Sequence, residues 1–354
     1  MTVVSPRIEI GPLTSAARHD VRNVAAAAAG TDGVVPLSEQ PLLNLARDEA
    51  WLTHVVARVR PEGSGGPSGE DTSGGAGPGG TVPDDVVAGY LQVDRSGPVA
   101  SAELVVHPRY RRQGIARRLL RAAELDVTLP LRSGEPGGQH LRVWARGDLP
   151  AARELAAALG YSPVRELRFL ARPLGPDGSA PASGEAEVAA PGDVVVPDGY
   201  TLRTFRPGAD DDAWLRLNAR AFASHPEQGR FTLDDLRARQ AEPWFDPAGF
   251  YLLFDDDGTT ADGPAGPAAF IWTKIENSPR PETRDGEIYV VGVDPDAQGK
   301  GLGRLMTDVG LAHLARAGAR RAVLYVEGDN APAIATYRRA GFTQDARHVQ
   351  YFKP

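Results

Sequence analysis

One stretch of the sequence carries most of the information about its fold: Val291-Gly-Val-Asp-Pro-Asp-Ala-Gln-Gly-Lys-Gly-Leu-Gly-Arg-Leu-Met306. It reads as the end of a strand followed by a glycine-rich turn that opens a helix. Unpaired backbone N–H groups and the positive end of the helix dipole meet at such a turn and favour a bound anion. Gly299, Gly301 and Gly303 let the backbone approach that anion, and Lys300 and Arg304 add positive charge. We therefore predict a pyrophosphate-binding turn.

Two other phosphate-binding patterns do not fit this turn. The dinucleotide fingerprint G-x-G-x-x-G requires a suitably spaced βαβ unit with an acidic residue on its next strand, and none follows. The Walker pattern G-x-x-x-x-G-K-[ST] is absent from the chain. The predicted phosphate therefore belongs to another kind of ligand.

The stretch has an earlier counterpart, which makes the chain a tandem duplication. Leu104-Val-Val-His-Pro-Arg-Tyr-Arg-Arg-Gln-Gly-Ile-Ala-Arg-Arg-Leu119 aligns with it, so that Pro108 matches Pro295 and Gly114 matches Gly301. Downstream, Leu141–Asp148 aligns with Ala322–Asp329. Each copy reads as strands, a glycine-rich turn, a helix, a strand, a second helix and a last strand. This order predicts an α/β fold with a mixed sheet of α+β-like type.

Two segments of low complexity divide the chain. Glu62–Gly80 is nearly all Gly, Ser, Pro and acidic residues, and Pro173–Pro197 is rich in Pro, Gly, Ala and Ser. Such compositions bury too little apolar surface to offset the entropy of the chain. We predict a first domain at residues 1–172 with a disordered insert at 62–80, a flexible linker at 173–197, and a second domain at 198–354.

Composition excludes several classes of function. A net charge of -7 argues against a protein that coats nucleic acid. The absence of cysteine excludes a cysteine nucleophile, disulfides and thiolate metal sites. The histidines show no metal-ligand spacing, so we expect no metal. With no signal peptide or membrane span visible, we expect a cytoplasmic monomer that binds neither nucleic acid nor membranes.

The motifs resemble those of the GCN5-related N-acetyltransferases (GNAT). The resemblance rests on Val-Asp-Pro, Gln298-x-x-Gly301-x-Gly303, Asn330, Tyr337 and Gly341-Phe342, and the first copy is similar through Arg111-Arg-Gln-Gly114-Ile-Ala116. In that family the turn holds the pyrophosphate of acetyl-coenzyme A. The resemblance therefore implies two GNAT domains and an acetyl-coenzyme A-dependent N-acetyltransferase. The implied coenzyme contacts are Leu104, Val105, Val106, Arg112, Gln113, Gly114, Ile115, Ala116 and Arg117 in the first copy, and Val291, Gly292, Val293, Gln298, Gly299, Lys300, Gly301, Leu302, Gly303, Arg304, Asn330, Ala331, Pro332, Ala333, Ile334 and Ala335 in the second.

The whole chain is similar to a two-domain branch of this family. The shared segments are Pro36–Gln40, Phe222–Gly229, Trp272–Lys274, Gly286–Pro295 and Leu324–Asn330. The resemblance implies a small-molecule acceptor, Cys-GlcN-Ins, in which an amino sugar linked to inositol carries a cysteine. It also implies acceptor contacts at Glu39, Glu227, Lys274, Glu287 and Tyr325.

Acetyl transfer to an amine requires a general base and a proton for the departing thiolate. Family resemblance favours Glu287 as the base, although a solvated carboxylate at a strand start would look the same. It favours Tyr337 as the general acid over a packed core aromatic. Asn330 could contact the pantetheine arm, cap its helix, or do both.

The first copy lacks both groups. By alignment, Ala156 stands where the second copy has Tyr337, and Ala100 where it has Glu287. We therefore predict that the first domain retains coenzyme binding without turnover. Two alternatives stay open: a tandem acetyltransferase for another amine, such as an antibiotic, a polyamine or a peptide N-terminus, and a non-catalytic acetyl-coenzyme A sensor.

Overall fold

The structure is a computed structural model that describes residues 6–60, 85–174, 194–223, 228–257, 259–260, 263–264, 266–276 and 284–354. The predicted insert at 62–80 lies outside these residues, as does most of the predicted linker at 173–197. The chain divides into two compact units: unit 1 comprises residues 1–165 and 348–354, and unit 2 comprises residues 166–347.

Unit 1 is a mixed sheet with helices on both faces. Its strands are β1 (Arg7–Ile10), β2 (Leu52–Val59), β3 (Val86–Asp94), β4 (Ala100–Val106), β5 (Leu141–Ala145), the start of β6 (Ser162–Pro173) and the end of β14 (Thr343–Phe352). Its helices are α1 (Ser15–Asp32), α2 (Glu39–Asn44), α3 (Ile115–Asp126) and α4 (Pro150–Leu159).

Unit 2 repeats this arrangement. Its strands are β7 (Tyr200–Thr204), β8 (Phe250–Asp255), β11 (Pro267–Ile275), β12 (Asp285–Val293), β13 (Arg321–Glu327), most of β6 and the start of β14, with a small hairpin of β9 (Thr259–Thr260) and β10 (Gly263–Pro264). Its helices are α5 (Asp211–Ala221), α6 (Leu233–Gln240), α7 (Leu302–Arg316) and α8 (Ala331–Arg339).

The strand order is the same in both units. In unit 1, β1 to β4 are antiparallel neighbours, β4 and β5 are parallel, and β5 pairs with β14. In unit 2, β7, β8, β11 and β12 are antiparallel neighbours, β12 and β13 are parallel, and β13 pairs with β6. Each unit therefore contains one parallel pair, flanked by antiparallel strands.

The last strand of each unit comes from the other repeat. Val349–Phe352, at the end of the second repeat, pairs with β5 of unit 1. Leu167–Pro173, at the end of the first repeat, pairs with β13 of unit 2. The predicted domains, 1–172 and 198–354, follow the two sequence repeats and stay a prediction. The compact units differ from the repeats because each unit includes a strand from the other repeat.

Two apolar cores lie on opposite faces of the sheet in each unit. In unit 2, α7 and α8 cover one face, where Met306 of α7 and Tyr337 of α8 share a core with Leu324 of β13. Trp214 of α5 and Leu236 of α6 pack with Trp272 on the other face. Burial of apolar surface stabilises such layers. The predicted α/β fold with a mixed sheet is confirmed for both copies.

Candidate functional site

The glycine-rich turn of unit 2 is built as predicted. Gly299 and Gly301 have φ angles of 79° and 81°, a left-handed conformation that glycine adopts without strain. Gly301 is the N-cap of α7 and provides no side-chain hydrogen bond, whereas Thr232 caps α6 with its hydroxyl. The first N–H groups of α7 therefore face outward without a capping side chain, as an anion site requires.

The side chains of this turn suit a highly charged ligand. Gln298, Lys300 and Arg304 are exposed, so two cations are available beside the start of α7. Leu302 is buried in the core, so only its backbone can serve a ligand. Gly303 is already in the helix, and a Cβ there would lie 3.8 Å from Val293 Cγ2. The predicted coenzyme positions Gln298–Arg304 thus form one continuous stretch that runs from the turn into α7, with exposed side chains at Gln298, Lys300 and Arg304.

The parallel pair of unit 2 separates just before this turn. The register of β12 with β13 runs from Asp285–Arg321 to Ile288–Leu324 and ends there. β12 continues to Val293 in pairing with β11, and β13 continues to Glu327 in pairing with β6. Val291–Val293 therefore borders an opening between the two strands. A narrow chain with amide groups, such as pantetheine, can pair with a strand edge of this kind.

A β-bulge at the opening decides which way the side chains point. Trp272 pairs with Val290 and Thr273 pairs with Ile288, so Tyr289 is the extra residue. Ile288 belongs to the core under α7, and so do its partly buried neighbours Val291 and Val293. Val290 belongs to the core under α5. The side chain of Glu287, next to Ile288 on the strand, therefore lies on the α5 face.

Lys274 is the cross-strand partner of Glu287. The two residues are directly opposite in the β11–β12 register, which puts their side chains on the same face. Lys274 is buried, and its Nζ lies 2.7 Å from Glu276 Oε1 and 4.8 Å from the ring centroid of Trp244. The structure thus brings together two of the predicted acceptor residues. The register of Glu287 with Val323 places Tyr325 on this face too, and its side chain is 43% exposed.

Tyr337 lies on the opposite face of the sheet. It belongs to the α7–α8 core with Leu324 and Val326, and its ring packs edge-on against Phe342 at 5.9 Å. Burial raises the pKa of Tyr337 to about 12, which keeps the phenol protonated at neutral pH. Glu287 and Tyr337 therefore lie on opposite faces of the sheet that contains β12 and β13.

Three residues of this site were not predicted from the sequence. Arg239 of α6 is buried and donates from Nε to the Tyr289 hydroxyl at 2.5 Å. Trp244 and Tyr289 form an aromatic wall, with ring centroids 5.2 Å apart, beneath the Lys274 ammonium. Only Tyr289 had a sequence signal, since it follows Glu287 by two positions on a strand. Arg239 and Trp244 lie outside any motif.

The remaining predicted residues have separate positions. Asn330 caps α8, where its Oδ1 accepts from Ala333 N at 3.1 Å, so its capping role is present. Ala331–Ala335 form the first turns of α8, with Ile334 buried in the core. Glu227 lies outside the described residues. Glu39 begins α2 in unit 1.

Unit 1 has a cavity of about 560 Å³ at the corresponding place. Gly114 has a φ of 78° and caps α3 without a side chain, and Arg112 has a φ of 63°. β4 and β5 separate after Glu103–Trp144. The cavity is lined by every coenzyme residue predicted for the first copy except Gln113: Leu104, Val105, Val106, Arg112, Gly114, Ile115, Ala116 and Arg117. Gln113 instead has a buried Oε1 with no hydrogen-bond partner.

Strand register corrects one predicted correspondence. Val323 pairs with Glu287, and the aligned Arg142 pairs with Ser101. The counterpart of Glu287 is therefore Ser101 rather than Ala100, because the bulge at Tyr289 adds one residue to β12. Serine has no carboxylate, so the first copy still lacks a base at this position.

Family profiles match both copies. The profile of the acetyltransferase (GNAT) family matches residues 212–342, and that of an acetyltransferase (GNAT) domain matches residues 81–163. Among the described residues, no group of His, Asp or Glu side chains could hold a metal ion. No helix in the described ranges is long and apolar enough to cross a membrane.

Curated relatives match nearly the full chain. A protein named mycothiol acetyltransferase from Sanguibacter keddieii is 46% identical over 349 residues, covering 98% of this chain and 96% of the relative. One of the same name from Cellulomonas flavigena is 45% identical, covering 97% of this chain and 88% of the relative. A third, from Salinispora arenicola, is also 45% identical, covering 94% of this chain and 92% of the relative.

Solved structures share the fold. A GCN5-related N-acetyltransferase from Sphaerobacter thermophilus has a TM-score of 0.61 at 23% identity, covering 98% of this chain and 95% of the other. A tandem GNAT protein from the clavulanic acid biosynthesis pathway has a TM-score of 0.62 at 20% identity, covering 98% of each chain. At these identities the likeness concerns the fold alone.

Proposed function

The chain belongs to the mycothiol acetyltransferases of the GNAT family, and from this membership we propose that it transfers the acetyl group of acetyl-coenzyme A to the cysteinyl amine of Cys-GlcN-Ins (desacetylmycothiol). The products are mycothiol and coenzyme A. A bond forms between the amine nitrogen and the acetyl carbon, and the bond between that carbon and sulfur breaks. The chain is an acetyl-coenzyme A-dependent N-acetyltransferase, and unit 2 is its proposed catalytic unit.

The proposed mechanism is supported by the positions of Glu287 and Tyr337, which lie on opposite faces of the sheet that contains β12 and β13. Glu287 accepts a proton from the acceptor amine, directly or through water. Tyr337 donates its phenolic proton to the departing thiolate. Direct transfer suits this arrangement, because the two proton-transfer groups meet the reacting atoms from opposite sides.

The turn and the strand edge fit acetyl-coenzyme A. Backbone N–H groups at the start of α7, together with Lys300 and Arg304, would hold its pyrophosphate. The backbone of Val291–Val293 would pair with pantetheine and polarise the acetyl carbonyl. Acetyl-coenzyme A supplies an activated thioester, and the chain's own residues position it and move the protons.

The α5 face of the opening suits the acceptor. An amino sugar with inositol offers many hydroxyls, and Lys274, Glu287, Tyr325 and the unpredicted Tyr289 present charged and phenolic groups to them. Glu227 and Glu39 are proposed contacts by resemblance. Glu287 lies on the same face as Lys274, where it can accept the proton of the acceptor ammonium.

A mass-resolved assay with acetyl-coenzyme A and Cys-GlcN-Ins tests the proposal. We expect product with one acetyl group on the amine, and a loss of kcat of about 100-fold in Tyr337→Phe and Glu287→Gln. Two variants are matched controls. Tyr251→Phe changes a half-buried tyrosine on β8. Asp285→Asn changes a carboxylate that is on the same strand as Glu287 and forms an ion pair with Arg321 of β13. If the folded wild type modified only other amines, the proposed acceptor would be wrong.

Unit 1 is proposed to hold the coenzyme without turnover. Its cavity contains the predicted turn and strand residues, while Ser101 and Ala156 replace the base and the acid. A monomeric state and a cytoplasmic location stay predictions from the sequence.

A further inference from the structure

One part of the unit 1 cavity, here called the apolar chamber, is lined by residues of the hydrophobic core. Its walls there are Leu120, Val143, Ala156, Tyr161 and Tyr351, all members of the core between the sheet and helices α3 and α4. Each of these side chains is less than a tenth exposed. The chamber therefore presents carbon atoms to any ligand that enters from the turn.

Ala156 occupies the position that Tyr337 has in unit 2. Tyr161 N donates to Ala156 O at 2.9 Å, and Phe342 N donates to Tyr337 O at 3.0 Å, so the two helices end in the same way. Gly160 and Gly341 follow with φ angles of 79° and 84°. The phenol that fills this position in unit 2 is thus absent from unit 1, and its space belongs to the cavity.

The two tyrosines of the chamber direct their hydroxyls away from it. Tyr161 donates to Glu124 Oε1 at 2.9 Å, and Tyr351 donates to Asp148 Oδ1 at 2.7 Å. Neither carboxylate lines the cavity. Both rings therefore face the chamber with their hydrocarbon parts, and their polar atoms are already satisfied.

We propose that this chamber holds an acyl chain longer than acetyl, so that unit 1 is a binding site for short-chain acyl-coenzyme A such as the butyryl thioester. The inference rests on the proposed coenzyme site of unit 1. Burial of each additional methylene favours binding by about four-fold. The thioester stays intact, because Ser101 and Ala156 provide neither a carboxylate base nor a phenolic acid.

Calorimetry on the full chain tests this selectivity. Gly301→Asp blocks unit 2, since aspartate adds negative charge at a left-handed position of its anion site. Coenzyme A, acetyl-, butyryl- and hexanoyl-coenzyme A are then titrated. Butyryl has two more methylenes than acetyl, so we expect butyryl-coenzyme A to bind roughly 15-fold more tightly than acetyl-coenzyme A. Equal or weaker binding of the butyryl thioester would overturn the acyl chamber, and absence of all binding would overturn the coenzyme site as well.

A second variant fills the chamber. In the same background, Ala156→Tyr should abolish the preference for butyryl over acetyl. Ala157→Tyr, which adds the same ring at an exposed position of α4 outside the cavity, should keep it. If Ala156→Tyr still preferred butyryl over acetyl, the proposal would be overturned. If that variant does not fold, the titrations of Gly301→Asp alone, in which Ala156 is kept, decide the question. Acetyl transfer by unit 2 is measured separately, in the wild type. If no acetyl transfer were found there, only the proposed function would be overturned.

Discussion

Arg220 of α5 forms a two-point ion pair with Asp294, the residue that begins the glycine-rich corner of unit 2. Arg220 Nε lies 2.8 Å from Asp294 Oδ2, and Nη2 lies 2.9 Å from Oδ1 and 2.7 Å from Asp296 Oδ2. These contacts hold the pKa of Asp294 below its usual value. Unit 1 has an ion pair of the opposite arrangement: the acid, Asp32, is on helix α1, and the base, Arg111, is beside the turn, with Arg111 Nη2 2.6 Å from Asp32 Oδ2.

This pair predicts how the turn tolerates mutation. Arg220→Ala removes the ion pair that joins α5 to the start of the glycine-rich turn. We expect the KM for acetyl-coenzyme A to rise several-fold with little change in kcat. Steady-state kinetics measures both. Arg216→Ala, an exposed arginine on the same helix, is the control. An unchanged KM in Arg220→Ala would show that the turn is fixed by its own backbone.

Loss of the Tyr289 hydroxyl should affect the acceptor alone. Tyr289→Phe leaves the Arg239 Nε without its partner at 2.5 Å in a buried environment. We expect the KM for Cys-GlcN-Ins to rise about ten-fold while the KM for acetyl-coenzyme A stays constant, because the coenzyme turn is elsewhere. Tyr251→Phe serves as the matched variant. Equal changes in both KM values would indicate general loss of structure instead of a role in acceptor binding.

Coenzyme stoichiometry distinguishes the two turns. Wild type should bind two equivalents of coenzyme per chain, because Gly114 and Gly301 both begin uncapped helices with left-handed φ angles. Gly301→Asp should remove one equivalent together with acetyl transfer, and Gly114→Asp should remove the other equivalent. Titration calorimetry counts them. Two equivalents in Gly114→Asp would contradict binding by unit 1.

Unit 1 should lose stability in mild acid. Burial lowers the pKa of His348 to about 4, aided by the charge of Arg146, and Gly147 N donates to its Nδ1 at 2.9 Å. The folded state therefore binds fewer protons than the unfolded state between pH 6.5 and 4. The contribution of His348 to the free energy of unfolding is fully present above the unfolded pKa of about 6.5 and falls by up to about 1.4 kcal/mol per pH unit below it.

Thermal unfolding of His348→Asn at pH 7 and pH 5 checks this dependence. The variant should be less stable than wild type at pH 7 and should lose less stability on acidification. His19→Asn, at an exposed position of α1, should behave as wild type does. The same loss of stability in wild type and His348→Asn would assign the acid sensitivity to other groups.

The predictable parts of the molecule are those with local causes. The left-handed angles of Gly299 and Gly301 are demanded by the turn itself, so the motif was visible in the sequence. The bulge at Tyr289 was not, because Ile288–Val291 is a continuous apolar run that does not mark an extra residue, and bulges depend on the neighbouring strand. Without knowledge of the bulge, the sequence alignment matched Glu287 with Ala100, whereas the strand register matches it with Ser101.

Contacts between residues that are far apart in the chain could not be predicted from the sequence, because they too depend on the neighbouring elements. A repeat shows that Arg165–Ala171 and His348–Phe352 are equivalent strands, but it does not say which sheet each one joins. Arg239 and Trp244 belong to the site only because α6 and the segment after it pack on β11 and β12. No spacing rule links such residues to Glu287.

Because β6 and β14 are exchanged, a cut between the two repeats removes one strand from the sheet of each unit. A fragment that starts after the linker would keep Glu287 and Tyr337 but would expose the edge of β13 that β6 covers, and exposed edges invite aggregation. Its complement would expose β5 in the same way. Domain transplantation or split-protein engineering must therefore divide the polypeptide elsewhere or provide the missing strand in trans, because each repeat completes the sheet of the other unit.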